Sequence, residues 1–295
     1  MRAARRQRAR PVSAAPAQAA FPLAIIAGSG EYPPRLASLA AARGHEVYVA
    51  AIEGAAQPGD FAPHSVRAYR LGQLGRLLDE LKRRGIGDLV MIGALPRPSF
   101  GSLLPEPSTL KYLPHFARAF QGGDDHLLKG VVQFFENQGY RVHGPADIAP
   151  ALTAPLGALG RRQAPTVARA VIEQGFALLA ALSPFDVGQA AIVADHRVVA
   201  IEAAEGTDAM IKRVAELVAS GRLKFARHDG VLVKAPKDGQ DLRVDMPAIG
   251  PDTLRNLAQA GLSGVALRAG KVLVGDSDRL GKLADELGLF VEGVA

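Results

Sequence analysis

The chain has 295 residues, of which 48% are hydrophobic and 22% are charged, a composition typical of a globular protein. It contains no cysteine, which excludes disulfides, thiolate catalysis and cysteine-ligated zinc and fits a reducing compartment. The net charge is +6, but five arginines precede residue 11 and the remaining chain is nearly neutral; with 5% aromatic residues and no Trp, we expect no nucleic-acid partner.

The length is sufficient for two domains, and the sequence pattern predicts an α/β fold divided in that way. The predicted units are a disordered basic tail at residues 1–20, a Rossmann-like domain at 21–144, a linker at 145–165 and a distinct catalytic α/β domain at 166–295. The tail has no apolar core of signal-peptide length, and no run of about 18 apolar residues occurs, so we expect neither export nor a membrane span.

A short apolar strand and a glycine turn open the first domain. Residues 23–27 are apolar, and an Ala- and Leu-rich helix extends to Gly44. Between them lies the turn Gly28, Ser29, Gly30. This order is typical of a first βαβ unit, although the third glycine of the dinucleotide-binding pattern is missing. The turn predicts either backbone N–H groups that face an anion or a tight connection without a ligand.

The remaining elements are predicted from hydrophobic periodicity. In the first domain we expect strands at residues 45–52, 66–70, 88–94 and 140–143, and a helix at 74–85. In the second domain we expect a helix at 166–182, a strand at 230–235, a helix at 252–259, a hairpin within 265–274, and a helix at 276–287 that ends the chain.

Two adjacent acids open a helix near the end of the first domain. Gly122 and Gly123 precede Asp124, Asp125 and His126, and an apolar helical face follows. Either acid can cap the helix by accepting a bond from a backbone N–H group. Two acids and a histidine exceed what a cap requires, so a part in a binding site is the alternative.

A predicted hairpin in the second domain leads into three further acids. Residues 190–194 and 198–201 are apolar and flank the polar pair Asp195-His196. The acids that follow are Glu202, Glu205 and Asp208. A strand that runs through a turn into a helix can hold a metal or position water with such acids. The alternative is a solvated acidic turn with a helix cap.

Charged residues alternate with apolar ones after the strand that carries Lys234. If residues 240–246 are extended, Asp241, Arg243 and Asp245 share one face of the strand. Two carboxylates beside an arginine suit a metal together with a phosphate. The alternative is the polar outer face of an edge strand that ends at Pro247.

Taken together, these motifs resemble a known family. In chain order they are AGSGEYP, GGDDHLLKGVVQFFENQGY, SPFDVGQAAIVADHRVVAIEAAEGTDAMIKR and VLVKAPKDGQDLRVDMPAIGPDT. The chain resembles the LpxI-type UDP-2,3-diacylglucosamine pyrophosphatases of Gram-negative lipid A synthesis from about residue 23 to the C-terminus. The basic tail lies outside the family pattern.

The resemblance implies a Rossmann-like domain and a second α/β domain that hold the substrate between them. It implies a hydrolase that uses Mg²⁺, with Mn²⁺ as the alternative cofactor, and produces UMP and 2,3-diacylglucosamine 1-phosphate (lipid X). Water is expected to attack the sugar-side phosphorus. A homodimer is expected, in the cytoplasm and in transient contact with the inner membrane.

Site residues follow from the same resemblance. Asp245 and Asp241 are assigned to the metal or to the attacking water. Further metal ligands, or residues that support them, are Glu202, Glu205 and Asp208, with Asp124 and Asp125 as second choices. Phosphate contacts are assigned to Lys212, Lys234 and Arg243. Hydrogen bonds to the substrate are assigned to Gln189 and Thr207, and backbone donors to Gly28, Ser29 and Gly30.

Two other classes of protein share some of these features. A nicotinamide or flavin oxidoreductase would explain the first βαβ unit but leaves the acidic clusters unexplained. A nucleotide-sugar sensor without catalysis would need no metal, and it would bind UDP-sugars without turnover.

Overall fold

The computed structural model describes residues 19–95, 106–110, 112, 124–225 and 229–295, and for residues 124–126 the backbone alone. These residues form two sheets covered by helices, which confirms the predicted α/β class. Residues 1–18 of the predicted tail, together with Gly122 and Gly123, lie outside the described residues.

The first sheet is parallel throughout. Its strands are β1 (Pro22–Ala27), β2 (Glu46–Ile52), β3 (Ser65–Tyr69), β4 (Asp88–Ile92) and β5 (Arg141–His143), in the order β3-β2-β1-β4-β5. The helices are α1 (Tyr32–Ala42), α2 (Leu74–Arg83), α3 (Pro107–Leu110) and α4 (Asp124–Asn137).

Strand β1 is apolar because helices cover both of its faces. Leu23, Ile25 and Ala27 pack into the core on one side of the sheet, and Ala24 and Ile26 pack into the core on the other. Successive side chains of a strand point to opposite faces, so a continuous apolar run is needed here. The predicted Rossmann-like opening is confirmed.

The second sheet is mixed. Its strands are β6 (Gly157–Ala158), β7 (Ala190–Ala194), β8 (Arg197–Ile201), β9 (Val231–Lys234), β10 (Gly264–Arg268) and β11 (Phe290–Val294), in the order β6-β11-β10-β9-β7-β8. The helices in this half of the chain are α5 (Pro145–Ile148), α6 (Ala168–Leu182), α7 (Thr207–Ala219), α8 (Pro251–Gln259) and α9 (Ser277–Leu287).

The hairpin predicted after residue 189 is confirmed. Strands β7 and β8 pair antiparallel. The two turn residues, Asp195 and His196, both have positive φ, at 49° and 55°. This geometry matches the two-residue turns whose twist suits a hairpin, and Asp tolerates positive φ better than most side chains.

The hairpin predicted within residues 265–274 is wrong. Strand β10 pairs in parallel with β9 on one side and β11 on the other, so both of its edges are occupied. The second apolar run bridges to Thr153 and Ala248 through Leu273. It is apolar because Val272 and Val274 pack into the second-domain core while Leu273 joins the first-domain core. The chain also continues after α9 into β11, which the sequence pattern did not predict.

Residues 240–246 do not form the extended strand on which the shared face of Asp241, Arg243 and Asp245 depended. This segment turns instead, since the N–H groups of Val244 and Asp245 donate to the carbonyl of Asp241 at 3.1 and 3.0 Å. The Arg243 guanidinium donates to Asp241 within the turn and to Glu136 in the first domain. Asp241, Arg243 and Asp245 therefore do not share one face of a strand.

The segment predicted as a linker is packed against both domains. It contains helix α5 and strand β6, and β6 pairs antiparallel with β11. Ile148 and Leu152 lie in a first-domain core, whereas Ala154 lies in the second-domain core. Additional contacts join the domains: the Tyr32 hydroxyl donates to the carbonyl of Ile249 at 2.7 Å, and Arg35 pairs with Asp276 at 3.0 Å.

Candidate functional site

A cavity of about 990 Å³ lies between the two domains. Its floor is formed by residues that follow the parallel strands, namely Gly28 after β1, Arg70 after β3, and Gly93 and Ala94 after β4. In open α/β sheets, ligands bind at the carboxyl ends of the strands. The cavity therefore occupies the position that the fold favours for a ligand.

The first-domain wall of this cavity is largely apolar. Helices α2 and α4 and strands β2 and β4 contribute the side chains of Ile52, Leu74, Leu77, Met91, Val131 and Phe135. The apolar face predicted for α4 thus lines the cavity as well as the core. An apolar wall of this kind can bury the hydrocarbon part of a ligand.

The second domain supplies what we call the polar end of the cavity: Gln189, Glu202 and Asp245. Asp245 accepts a hydrogen bond from the side-chain amide of Gln240 at 2.5 Å. Beside the polar end, the ammonium of Lys237 donates to the carboxylate of Asp186. The Asp186–Lys237 pair was not predictable from local sequence patterns, because its members are 51 positions apart.

The glycine turn is held closely against the end of β4. The N–H groups of Gly28 and Ser29 donate to the carbonyls of Ile92 and Ala94, each at 2.8 Å. A Cβ atom on Gly28 would lie 2.6 Å from the Ala94 carbonyl oxygen, so this position requires glycine. Two of the predicted anion donors thus bond the fold itself in this conformation, while Gly30, at φ 107°, continues the turn.

Glu202 is fixed by a chain of hydrogen bonds. The ammonium of Lys234 donates to the Thr207 hydroxyl at 2.6 Å, and that hydroxyl donates to Glu202 Oε1 at 2.9 Å. The backbone N–H of Gln189 donates to Glu202 Oε2 at 3.1 Å. Lys234 is 6% exposed, and its burial lowers the pKa of its ammonium, while the nearby charges of Glu202 and Asp208 oppose that shift.

Asp208 carries a buried oxygen that the fold leaves without a partner. Among the described residues, Asp208 Oδ1 accepts no hydrogen bond. Leaving a buried carboxylate oxygen unsatisfied is costly. This oxygen is buried, and Asp208 is not one of the residues that line the cavity. Lys212, one helical turn further along α7, is exposed.

The remaining predicted acids are engaged elsewhere. Glu205 pairs with Arg213 at 2.9 Å, and its pKa is lowered by backbone hydrogen bonding and by Arg213. Asp241 accepts bonds from the Arg243 guanidinium at 2.9 and 2.7 Å, which lowers the pKa of its carboxyl. Glu136 pairs with the same arginine at 2.7 Å, a partner that the sequence pattern did not indicate.

No three metal-ligating side chains converge among those that the structure describes. Asp245 and Glu202 both line the cavity, and Asp208 carries the unsatisfied oxygen. Asp124 and Asp125 are the first residues of α4, but their side chains lie outside the description. The predicted metal ligands and substrate contacts stay predictions.

Comparison with known proteins covers nearly the whole chain. Residues 22–152 match the sequence model of the LpxI N-terminal domain, and residues 155–292 match that of the LpxI C-terminal domain. The chain is 38% identical over 273 residues to the UDP-2,3-diacylglucosamine pyrophosphatase LpxI of Caulobacter vibrioides, covering 92% of this chain and 97% of that protein. The boundary between the matched domains lies within the packed connecting segment. This chain belongs to the LpxI family.

Proposed function

We propose that this chain is a pyrophosphohydrolase that cleaves UDP-2,3-diacylglucosamine to UMP and 2,3-diacylglucosamine 1-phosphate. The observation that carries the proposal is the interdomain cavity, which is apolar on one side and carries Glu202 and Asp245 on the other. The similarity, over 92% of the chain, to the UDP-2,3-diacylglucosamine pyrophosphatase LpxI of Caulobacter vibrioides supports the same reaction.

The shape of the cavity suits the two parts of this substrate. The apolar wall formed by α2 and α4 would bury the acyl chains, a contribution of about 0.8 kcal/mol per buried CH₂ group. The sugar and diphosphate would then lie towards Gln189, Glu202 and Asp245. The acyl chains would thereby direct the scissile bond to the carboxylates.

Mg²⁺, or Mn²⁺ in its place, is the proposed cofactor. Mg²⁺ is usually held by one or two carboxylates together with substrate phosphates and water, so Glu202 and Asp245, which line the cavity, are the proposed protein ligands, with Asp208 as a further candidate. A bound cation would neutralise charge on the nonbridging phosphate oxygens. Asp245 would orient the attacking water towards the sugar-side phosphorus.

A transient contact with the inner membrane by a cytoplasmic enzyme is the proposed route to this lipid. Three large apolar side chains at the cavity are exposed: Leu71 at 40%, Leu95 at 43% and Phe185 at 74%. Exposed apolar groups around a cavity mouth are typical of surfaces that meet a membrane. None of the described helices has the length and apolar character needed to cross one. A homodimer is also proposed, on the family resemblance alone.

Purified chain incubated with UDP-2,3-diacylglucosamine tests the proposed function. We expect equal amounts of UMP and 2,3-diacylglucosamine 1-phosphate with Mg²⁺, and loss of both with EDTA. Binding of the substrate without turnover in Mg²⁺ or Mn²⁺ would contradict the proposal and favour a sensor.

A further inference from the structure

A buried lysine reaches the cavity wall through a single hydroxyl. Lys234 ends β9, Thr207 begins α7, and Glu202 follows β8. The ammonium bonds the hydroxyl at 2.6 Å, and the hydroxyl bonds the carboxylate at 2.9 Å. Of the three, Glu202 lines the cavity, whereas Lys234 and Thr207 are 6% and 8% exposed.

The charges of this group explain why the lysine is buried there. Two carboxylates, Glu202 and Asp208, lie close enough to influence the Lys234 ammonium. A buried charge is stable only with a compensating partner. The Lys234 ammonium is the compensating partner of these two carboxylates. Because a hydroxyl can accept one hydrogen bond and donate another, Thr207 accepts from Lys234 and donates to one oxygen of Glu202.

The other oxygen of Glu202 is held by the cavity wall itself. It accepts the backbone N–H of Gln189 at 3.1 Å, and Gly188 fits against the backbone of Glu202 so closely that a Cβ atom would lie 2.3 Å from its carbonyl oxygen. Both carboxylate oxygens therefore have fixed positions. Removing the Thr207 bond would free the carboxylate to rotate about its remaining contact.

We propose that Lys234 and Thr207 are positioning residues that hold Glu202 in its orientation at the polar end of the cavity. In this role neither residue makes the direct substrate contact that the family resemblance assigned to it. The positioning role rests on the proposed function only in its expected effect on turnover. The orientation of Glu202 is a property of the protein alone.

The first test compares Thr207→Val, which removes the hydroxyl at nearly constant volume, with Thr207→Ser, which keeps it. Loss of an outer hydrogen bond that orients a ligating side chain typically costs about 10- to 100-fold. For Thr207→Val we expect kcat to fall by this factor while KM stays within about threefold of the unmodified chain's value. For Thr207→Ser the fall in kcat should be about tenfold smaller. Equal losses in the two variants would overturn the proposal, since the hydroxyl would then be irrelevant.

A double-mutant cycle separates positioning from direct contact. If Lys234 acts through Thr207, the double variant Lys234→Met/Thr207→Val should have a kcat only slightly lower than that of Thr207→Val alone. If the two residues contact the substrate independently, their effects on kcat should multiply, which would overturn the proposal. Should Lys234→Met fail to fold, the two Thr207 variants still decide the question.

Hydrogen–deuterium exchange gives a readout that needs no activity. A mobile Glu202 carboxylate would protect the Gln189 N–H less well, so its exchange should be faster in Thr207→Val than in Thr207→Ser or the unmodified chain. Unchanged exchange in Thr207→Val would contradict the positioning role even if turnover falls. Absence of turnover in the unmodified chain would instead contradict the proposed function and leave this test intact.

Discussion

Arg243 of the second domain donates to Glu136 of the first across 2.7 Å. The same guanidinium also bonds Asp241, two residues earlier in the turn that leads to Asp245. Glu136 lies on α4, the helix whose Val131 and Phe135 line the cavity. The ion pair therefore joins the apolar wall of the cavity to the segment that carries its carboxylate.

Glu136→Gln should weaken this connection between the domains. The two side chains are 37% and 44% exposed, so we expect the free energy of unfolding to fall by less than about 1 kcal/mol. In the proposed site the substrate contacts both walls, so a coupling of about 0.5–2 kcal/mol between them would raise KM several-fold. Denaturant unfolding and steady-state kinetics measure the two effects.

Arg255→Gln is the matched control for that variant. Arg255 pairs with Asp252 at the same 2.7 Å, but both residues lie on helix α8. The Arg255→Gln variant should have a slightly lower free energy of unfolding and an unchanged KM. An equal rise of KM in both variants would show that the cross-domain pair has no particular effect on binding.

Asp245→Ala removes the carboxylate that we propose to orient the attacking water. We expect kcat to fall by about 10²- to 10⁴-fold, the range for a positioned acid or base. Asp252→Ala, at a side chain that is 84% exposed, is the control and should keep its activity. Full turnover by Asp245→Ala, with an unaltered thermal unfolding transition, would remove Asp245 from the mechanism.

Gly28→Ala should disturb the floor of the cavity. The added Cβ would lie 2.6 Å from a carbonyl oxygen of the neighbouring turn, so the backbone must shift. Overpacking of this kind costs about 1–3 kcal/mol in the free energy of unfolding. Gly59→Ala is the control because no heavy atom lies within 4 Å of its added Cβ. Indistinguishable denaturation curves for the two variants would contradict the close contact.

Phe185→Ser tests the proposed membrane contact. The variant should sediment less with vesicles of anionic phospholipid, because Phe185 is 74% exposed beside the cavity. Val167→Ser is the control. Val167 is 75% exposed, directly precedes α6 and does not line the cavity. Equal loss of sedimentation in both variants, or in neither, would place the contact elsewhere.

Local patterns were sufficient to predict much of the fold. Residues 23–27 and the glycine turn form the expected βαβ opening, and the pair Asp195-His196 forms the expected hairpin turn. In both places the conformation depends on adjacent residues. Strand β11 was missed because its partner, β10, is distant in the sequence. The turn at residues 240–246 was missed because the alternation of charged and apolar residues does not reveal the hydrogen bonds from Val244 and Asp245 back to Asp241.

The site was predictable as a set of residue types but not as an arrangement. Gln189, Glu202 and Asp245 were all singled out, and all three line the cavity. Periodicity showed that α4 has an apolar face, but it could not show that part of this face lines a cavity. Lys234 is buried and Lys212 is exposed, although the family resemblance assigned both to phosphate.

Hydrolysis of UDP-2,3-diacylglucosamine in ¹⁸O-labelled water, followed by mass spectrometry of both products, tests the proposed reaction and its direction of attack together. We expect turnover with Mg²⁺ and label in 2,3-diacylglucosamine 1-phosphate, because the proposed reaction has water attack the sugar-side phosphorus. Label in UMP would contradict the assigned direction of attack, and no turnover with Mg²⁺ or Mn²⁺ would contradict the assignment of this cavity to pyrophosphate hydrolysis.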